Sequence, residues 1–444
     1  MSSSSPILGK AAQVVIIGGG VSGALIAARL AEHGFHVITL EKAAIGNGSS
    51  GRSAAGIRTQ WGTPDSVAGM LYSEWFYTHF HDLLHSAPDD QTWVIRQNGY
   101  LFLYEHPELS LPPWQLGRRR AATQAWQAAQ AYVAMQRKLG VSVEVLEPRE
   151  VQRHWPHILA ERLIGATWGP YDGFLNHDLI YSRGFARAQA LGAELRQHVE
   201  VTGARTHGGR ILSLDTTAGS VEGDWFINAT GAWAPRVSRS IGGMELAIAP
   251  VKRFLYSLKP ARPIMSAEAW SAMPMTMYGV GPERGAYSRP DGEILMTGWA
   301  HEALSEPDFT DDEQDAIPPE FHHQYGLENY GYAILAEIER FAPDLANCGG
   351  LHATTCGYYE MTPDSNPLIG ADANIENLVH AAGFSGHGLM HAPITAAVVE
   401  AIITGEVKDG LMRLPPPCAE RHISLDTFDP SRDFSQSHRE MLVF

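Results

Sequence analysis

The sequence predicts an α/β fold in which a parallel sheet is combined with an antiparallel, α+β region. Two observations predict the parallel part: a strand–glycine turn–helix–strand unit near the N-terminus, and later apolar runs such as DWFIN and NLVHAA. A third predicts an added meander, since residues 193–225 alternate apolar and polar side chains between glycine-rich turns. Strands linked through a helix pair in parallel, whereas strands joined by tight turns pair antiparallel.

The first unit, residues 14–34, contains a glycine motif that suits a phosphate-bearing ligand. Its β-branched run is typical of a strand buried on both faces, and the following apolar residues recur at helical spacing. Between them, Gly18 permits a tight turn, Gly20 lets the backbone approach a pyrophosphate, and Gly23 lets helix and strand pack closely. The positive end of the helix dipole then faces the phosphates.

The second strand of this unit, predicted at 37–40, ends in Glu41. An acid at this position accepts the ribose hydroxyls of an adenine dinucleotide. It also disfavours NADP, because a carboxylate repels the 2′-phosphate of that cofactor. NAD and FAD therefore both remain open after the first motif.

Composition and charge argue against several classes of function. The chain of 444 residues is long enough for two domains, and its net charge of −16 repels phosphate backbones, so nucleic acid is not an expected partner. Cys348, Cys356 and Cys418 form neither a disulfide framework nor a CxxC metal site, which favours a cytoplasmic location. Residues 11–31 are apolar enough to span a bilayer, but their central glycines favour the dinucleotide unit, so no transmembrane segment is expected.

Four further stretches carry a more specific pattern. They are DWFINATGAWAP (224–235), EKAAIGNGSSGRSAAGIRTQWG (41–62), MTPDSNPLIG (361–370) and GFSGHGLMHAPITAAVVEAIITGE (383–406). Together they resemble the D-amino acid oxidase superfamily of FAD enzymes, which includes glycine oxidase and the sarcosine oxidases. The resemblance implies a Rossmann-like FAD-binding domain with a parallel sheet and a β-meander, interleaved in sequence with an antiparallel-sheet α+β substrate domain.

The resemblance also implies how FAD is held. The glycines of the last stretch are expected to bring backbone N–H groups and a helix N-terminus to the flavin, where they stabilise negative charge on the reduced ring. Binding is expected to be non-covalent: Cys356 lies eight residues before Asp364, whereas the family's linking cysteine lies seven before, here at Gly357. The residues implied to bind FAD are Gly18, Gly20, Val21, Ser22, Gly23, Glu41, Lys42, Ser49, Ser50, Arg52, Ser53, Val201, Ala229, Thr230, Gly231, Trp233, Gly383, Gly386, His387, Gly388 and Leu389.

Both domains are expected to be discontinuous. The interleaving that the resemblance implies places the first and last motifs in the same domain, although they are far apart in sequence. The expected division is 1–90, 150–240 and 345–410 for the FAD-binding domain, and 91–149 and 241–344, with an exposed acidic loop at 305–320, for the substrate domain. The tail at 411–444 has no assigned place.

The implied reaction is oxidation of the C–N bond of an amino acid or N-substituted amino acid, by hydride transfer to flavin N5, giving an imine that hydrolyses. Arg58 aligns with the carboxylate-binding arginine of monomeric sarcosine oxidase, and Arg289 precedes Gly292 by three residues, as a similar arginine does in glycine oxidase. A bidentate guanidinium suits a carboxylate, although a structural arginine bonding loop carbonyls fits the position of Arg58 equally. No base is assigned, and the other residues expected around the substrate are Trp61, Tyr278, Tyr359 and Met390.

Three positions depart from the family pattern. Met390 and Met296 stand where sarcosine oxidases carry lysines, and Tyr359 replaces an arginine of glycine oxidase. The missing cationic groups predict a larger or less anionic substrate and a weaker reaction with oxygen. The electron acceptor is therefore O2 or a separate carrier, and assembly into an oligomer or a multi-subunit complex stays open.

Other functions also remain open on the sequence. An FAD-dependent 2-hydroxy acid dehydrogenase of the same superfamily is the main alternative, while a flavin monooxygenase and a non-catalytic flavin-binding subunit fit the residues less well. His387 and His391 are four residues apart and would share one helix face, as paired metal ligands do. No third ligand accompanies them, so no metal is expected.

Overall fold

The computed structural model describes residues 12–86, 92–108, 116–281, 285–299 and 330–440, and the predicted acidic loop at 305–320 lies outside them. The strands are β1 Gln13–Ile17, β2 His36–Glu41, β3 Gly56–Ile57, β4 Ile95–Arg96, β5 Tyr100–Glu105, β6 Glu144–Leu146, β7 Leu163–Gly169, β8 Gly173–Leu175, β9 Glu194–Gln197, β10 Val201–His207, β11 Arg210–Thr216, β12 Gly219–Glu222, β13 Trp225–Asn228, β14 Ala249–Pro260, β15 Met275–Val280, β16 Ala286–Asp291, β17 Ile294–Trp299, β18 Gly349–Met361, β19 Leu368–Ala371, β20 Leu378–Ala382, β21 Leu411–Arg413 and β22 His422–Ser424. The α-helices are α1 Val21–Glu32, α2 Pro64–Thr78, α3 Phe80–Leu83, α4 Leu116–Lys138, α5 Pro148–His154, α6 His177–Ala190, α7 Ala234–Ser240, α8 Ala267–Ser271, α9 Tyr330–Glu339, α10 Pro343–Ala346 and α11 Gly388–Thr404.

A six-stranded sheet has the strand order β19–β20–β13–β1–β2–β9. Its neighbours pair in parallel except β19 and β20, which are antiparallel. Val14 of β1 lies opposite Trp225 on one side and Val37 on the other. This sheet confirms the predicted α/β class, and the position of β1 at its centre explains the β-branched run of that strand.

The N-terminal unit forms as predicted, with α1 beginning at Val21 directly after the glycine turn. Nearly all of α1 is buried, because the helix contacts both α6 and α11 in addition to the sheet. The helix ends at Glu32, and Gly34 adopts the left-handed conformation, φ +82°, that commonly terminates a helix.

The predicted meander forms as β10, β11 and β12, a separate antiparallel sheet that leads into β13. Its apolar residues Ile211 and Leu214 are fully buried with Val15 and Phe226 of the parallel sheet in one core cluster. The meander therefore covers one face of the parallel sheet. The segment before it, β9, joins the parallel sheet beside β2.

An eight-stranded, mainly antiparallel sheet has the order β18–β14–β17–β16–β15–β5–β7–β6. Two of its strands, β7 and β18, come from the chain segments 150–240 and 345–410 that the sequence division assigned to the FAD-binding domain. The alternation of NGYLFLYE predicts a half-buried strand, but β5 is buried throughout. Leu101 packs into one core cluster and Phe102 into another, so both faces of the strand are covered.

Helix α11 is almost entirely buried and contacts α1 and α2. After it, the tail forms the hairpin β21–β22 beside α2, and residues 425–440 then run back past the MTPDSNPLIG segment. Along the described stretches of chain, none of the helices combines the length and the apolarity that a bilayer crossing needs.

Candidate functional site

A cavity of about 470 Å³, the large cavity, lies at the carboxyl ends of β1, β2 and β13. In open α/β sheets this edge is where nucleotide ligands bind. Most of the residues predicted to hold the cofactor line it: Gly18, Gly20, Val21, Ser22, Glu41, Lys42, Ser49, Ser50, Arg52, Ser53, Val201, Ala229, Thr230, Gly231, Trp233, Gly386, Gly388 and Leu389. Three others, Gly23, Gly383 and His387, are not part of its wall.

The glycine turn after β1 has little room for side chains. Gly18 has φ +115°, and a Cβ there would lie 2.4 Å from the carbonyl oxygen of Ala229. A Cβ on Gly23 would lie 2.1 Å from the carbonyl oxygen of Gly18. Gly23 thus serves the close packing of helix and turn, which explains why it is absent from the cavity wall.

The carboxylate of Glu41 is held beside the glycine turn by two backbone N–H groups. Its Oε2 accepts a hydrogen bond from the Gly19 N–H at 2.6 Å, and its Oε1 accepts one from the Ala43 N–H at 2.7 Å. The Lys42 ammonium lies 4.4 Å from the centre of the Trp233 ring, and both residues also line the large cavity. An acid, an aromatic ring and a helix N-terminus along one cavity suit an adenine dinucleotide.

The loop that enters α11 is shaped by left-handed residues. Gly383, Ser385 and Gly386 have φ of +72°, +50° and +93°. A Cβ on Gly386 would lie 2.2 Å from the ring of Tyr359, so only glycine fits beside that ring. The N–H of Gly383 donates to Glu360 Oε2 at 2.9 Å, which explains why Gly383 lies behind the large cavity.

Several side chains of the large cavity were missed by sequence reasoning, among them Arg253, Tyr287 and Glu360. They lie on β14, β16 and β18, and no local motif marks them, because sheet pairing brings these strands together. Burial raises the pKa of Glu360 to about 7, although the N–H groups of Gly383 and Phe384 oppose that shift. This carboxyl group can therefore change its protonation near neutral pH.

A second cavity of about 40 Å³, the small cavity, adjoins the large one. The two share Ser53, Ala54, Tyr287, Tyr359, Gly386 and Leu389 in their walls. The rest of its wall consists of Ala55, Gly56, Arg58, Tyr100, Met275, Met277, His387 and Met390. The structure thus brings three of the predicted substrate residues, Arg58, Tyr359 and Met390, around one space that methionine and tyrosine side chains also line.

Arg58 is buried, and its guanidinium lies 4.0 Å from the centre of the Trp61 ring. Its Nη1 also donates to the carbonyl oxygen of Gln60, and Trp61 Nε1 donates to the carbonyl oxygen of Arg58 at 2.9 Å. Burial lowers the pKa of Arg58 from its ordinary value, while Tyr100 and Glu440 oppose that shift. A guanidinium nevertheless stays protonated in proteins.

Arg289, Trp61 and Tyr278 do not line either cavity. Arg289 donates from Nε to the Ala54 carbonyl oxygen at 2.7 Å and from Nη1 to its own strand, and Phe174 lies under its guanidinium. The structure therefore does not bring the two arginines together on one cavity wall. Tyr278 is buried in the core, with its hydroxyl 3.0 Å from Ser288 Oγ.

The rings of His387 and His391 lie against each other with their Nδ1 atoms 3.1 Å apart. His387 Nε2 donates to the carbonyl oxygen of Ser365 at 3.1 Å, and His391 Nδ1 donates to the carbonyl oxygen of His387 at 3.1 Å. Burial lowers the pKa of both histidines, that of His391 to about 3, so both are neutral. Within the described part of the chain, no three side chains are grouped as metal ligands.

Cys356 on β18 is buried and pairs in register with Phe254, whereas its neighbour Gly357 lines the large cavity. A thiol at the position of Gly357 would face the cavity, but Cys356 packs into the core beneath the sheet. The placement of the cysteine is therefore consistent with the prediction of non-covalent FAD.

The sequence profile of the FAD dependent oxidoreductase family, DAO, matches residues 13–402. Glycine oxidase of Geobacillus kaustophilus (strain HTA426) is 27% identical over 414 residues, which cover 92% of this chain and 97% of that protein. The 4-methylaminobutanoate oxidase (formaldehyde-forming) of Paenarthrobacter nicotinovorans is 26% identical over 401 residues, which cover 88% of this chain but 44% of that protein.

Solved structures show the same fold. L-proline dehydrogenase from P. horikoshii has a TM-score of 0.76 and 25% identity, and covers 97% of this chain and 100% of its own. Glycine oxidase from Geobacillus kaustophilus has a TM-score of 0.72 over 95% of this chain and 99% of its own. The family match and these likenesses agree with the glycine turn, the acid after β2 and the cavity between them, and the chain therefore belongs to the DAO family of FAD-dependent oxidoreductases.

Proposed function

We propose that this FAD enzyme oxidises the C–N bond of an amino acid, either primary or N-substituted, whose carboxylate binds Arg58 and whose apolar part occupies the small cavity. The observation that carries the proposal is a single buried guanidinium in the wall of a cavity, lined by methionines and tyrosines, that adjoins the cofactor cavity. A guanidinium in such surroundings favours a carboxylate, which it can bind through two hydrogen bonds.

The stacking of Arg58 on Trp61 suits this role. The ring lies 4.0 Å from the guanidinium and leaves the rotation of the long side chain restricted. The Trp61 ring is in turn fixed by its own hydrogen bond to the Arg58 carbonyl oxygen. A substrate carboxylate would therefore meet a cation that is already oriented, which lowers the entropy lost on binding.

The remaining wall of the small cavity favours an uncharged amine. Met275, Met277 and Met390 are apolar, and among the described residues of the wall Arg58 carries the only fixed positive charge. A nearby cation disfavours an ammonium group. The substrate nitrogen would bind deprotonated, so no general base is required, in keeping with the neutral state of His387.

FAD held by the residues of the large cavity would supply the acceptor for the hydride of the substrate carbon, and the resulting imine would hydrolyse in water to a carbonyl compound and an amine or ammonia. The residues of this chain bind the carboxylate, exclude water and hold the reacting carbon beside the large cavity. The names of three similar proteins fit this range of substrates, since they are called glycine oxidase, 4-methylaminobutanoate oxidase and L-proline dehydrogenase.

The test is anaerobic titration of the holoenzyme with glycine, N-methylglycine, proline, larger apolar amino acids and the corresponding 2-hydroxy acids. We expect amino acids to bleach the visible flavin absorbance and hydroxy acids to leave it unchanged. Bleaching by hydroxy acids alone would overturn the proposal in favour of a 2-hydroxy acid dehydrogenase. Admitting air to the reduced enzyme then distinguishes an oxidase, which regains its colour, from a dehydrogenase that needs another acceptor.

A further inference from the structure

The tail of the chain reaches the substrate cavity from outside. Residues 429–440, the C-terminal strap, lie beyond residue 402, where the family match ends. The strap crosses two loops: the MTPDSNPLIG loop before β19 and the loop that follows Arg58. Each loop carries a contact to a residue in the wall of the small cavity.

The first contact is a guanidinium–carboxylate pair between Arg432 and Asp364. Arg432 donates from Nε at 2.8 Å and from Nη2 at 2.7 Å to the two carboxylate oxygens, and both side chains are nearly fully buried. Burial raises the pKa of the Asp364 carboxyl, but the hydrogen bonds and charge of Arg432 hold that pKa below its ordinary value. Arg432 also donates to the carbonyl oxygens of Asn366 and Pro367, so one side chain spans the loop.

The contacts of Arg432 with Asp364 and Asn366 fix Ser365, which lies between these two residues. Ser365 has φ +62°, a strained conformation for a serine, and its carbonyl oxygen accepts the hydrogen bond from His387 Nε2. Asn366 is held further by a hydrogen bond from its Nδ2 to the carbonyl oxygen of His438 in the strap, at 2.8 Å. The orientation of His387 in the cavity wall therefore depends on the strap.

The second contact is the carboxylate of Glu440, which is 1% exposed. Both carboxylate oxygens accept from the Gly62 N–H, at 3.2 and 3.0 Å. The backbone N–H of Glu440 donates to the Asp364 carbonyl oxygen at 2.8 Å. Gly62 follows Trp61, the residue whose ring supports the Arg58 guanidinium. A Cβ on Gly62 would lie 2.9 Å from Glu440 Oε1, so the carboxylate packs directly on this peptide.

We propose that the C-terminal strap is a positioning element of the substrate cavity, in which Glu440 sets Arg58 through Gly62 and Trp61, and Arg432 sets His387 through Asp364 and Ser365. For Arg58 this rests on the proposed function, because it concerns how that residue receives a carboxylate. The strap as a structural link between the tail and the two cavity residues stands independently of the substrate.

The test compares Glu440→Ala, Glu440→Gln and Asp433→Asn holoenzymes. Glutamine keeps an oxygen that can accept from Gly62 but loses the charge, and Asp433 is an exposed acid of the strap that accepts from Ser435 within it. Loss of the buried hydrogen bond from the Gly62 N–H predicts that Glu440→Ala raises the dissociation constant of the bleaching amino acid about tenfold. Glu440→Gln should restore binding to within about twofold of the parent, and Asp433→Asn should leave both binding and kcat unchanged, with FAD content constant in all three variants.

Hydrogen–deuterium exchange supplies a readout that needs no substrate. In Glu440→Ala we expect faster exchange of the Gly62 amide and the peptide around it, with the glycine turn at 18–23 unchanged. If no amino acid bleaches the parent enzyme, the proposed function fails. The exchange result still tests whether the C-terminal strap holds the peptide at Gly62. Unchanged exchange at Gly62, or faster exchange with unaltered amino acid affinity in an enzyme that does bleach, would overturn the positioning role. Equal weakening in the alanine and glutamine variants would also contradict it.

Discussion

The large and small cavities lie side by side, but they are built in different ways. The large cavity includes the turns at the ends of neighbouring strands, such as Gly18 after β1 and Gly231 after β13. The small cavity is walled by side chains from β5, β15, β16, β18, α11 and the loop at 53–58. A cofactor site made of turns can be recognised from short motifs, whereas a substrate site made of distant side chains can change without altering the cofactor site.

The largest effect is expected on FAD affinity, from Gly23→Ala. Gly23 packs against the glycine turn that lines the large cavity. The new Cβ would lie 2.1 Å from the Gly18 carbonyl oxygen, so the glycine turn must shift away from the pyrophosphate position. Overpacking of this size predicts FAD binding weaker by about 100-fold. Equilibrium dialysis of FAD measures it, with Gly117→Ala as control, since a Cβ on Gly117 meets nothing within 4 Å.

The next effect separates the cavities directly. Arg58→Ala should weaken binding of the bleaching amino acid about 30-fold, because a charge-assisted bond to the carboxylate is lost, and should leave FAD affinity unchanged. Arg289→Ala should change amino acid affinity less and lower the melting temperature instead, because its donor to the Ala54 carbonyl oxygen disappears. Spectral titration and thermal unfolding of both variants check this. Equal loss of amino acid affinity in the two would show that Arg289 also reaches the substrate.

A smaller effect concerns the pH dependence of stability behind the small cavity. Asp172 accepts hydrogen bonds from the Thr59 N–H and hydroxyl and from Gln60 Nε2 beside Arg58. Burial raises the pKa of Asp172 from 3.8 to about 6, although those hydrogen bonds oppose the shift. Between these values the folded protein holds a proton that the unfolded chain releases, so this group's contribution to stability falls as pH rises toward about 6 and does not recover above it.

Asp172→Asn removes that titration. Relative to the parent, the melting temperature of the variant should therefore rise by a few degrees between about pH 4 and pH 7, superimposed on any constant loss from altered hydrogen bonds. Thermal unfolding across this range measures the difference. A gap between variant and parent that is constant with pH would show that Asp172 does not titrate in this window.

The smallest effect is expected from Cys356→Ser. The Cys356 thiol of β18 is buried in the core, whereas its neighbour Gly357 lines the large cavity. FAD content and activity should therefore be those of the parent enzyme. Acid precipitation should release yellow FAD into the supernatant from parent and variant alike. Colour retained in the parent pellet and lost from the variant would show a covalent bond at Cys356.

The sequence was sufficient for features that local chemistry controls. The turn Gly18–Gly23, the acid Glu41 and the entry into α11 were all predicted, because each needs particular residue types at short spacing. Gly34 likewise ends α1 as predicted, since a left-handed C-terminal residue favours glycine. The fold class followed from positions of this kind, whereas the choice of FAD over NAD followed from the family resemblance of longer stretches.

The positions of single side chains in long strands were harder to predict. Arg289 has the spacing of a substrate arginine, but its strand turns the guanidinium toward the Ala54 carbonyl oxygen, behind the cavity. Glu360 carries no motif, yet pairing of β18 with β14 places it beside the large cavity. The full burial of β5 follows from the layers that cover its two faces, which alternation within one strand does not reveal.

What the amino-acid order decided is therefore the cofactor-binding unit, because turns, caps and strand–helix alternation depend on residues that are neighbours in sequence. What only the tertiary arrangement decided is which side chains meet around the substrate. Arg58 and Glu440 are separated by most of the chain, but the fold joins them through Gly62 and Trp61. Contacts of that kind depend on how whole elements pack, and packing complementarity leaves no periodic signal in a single sequence.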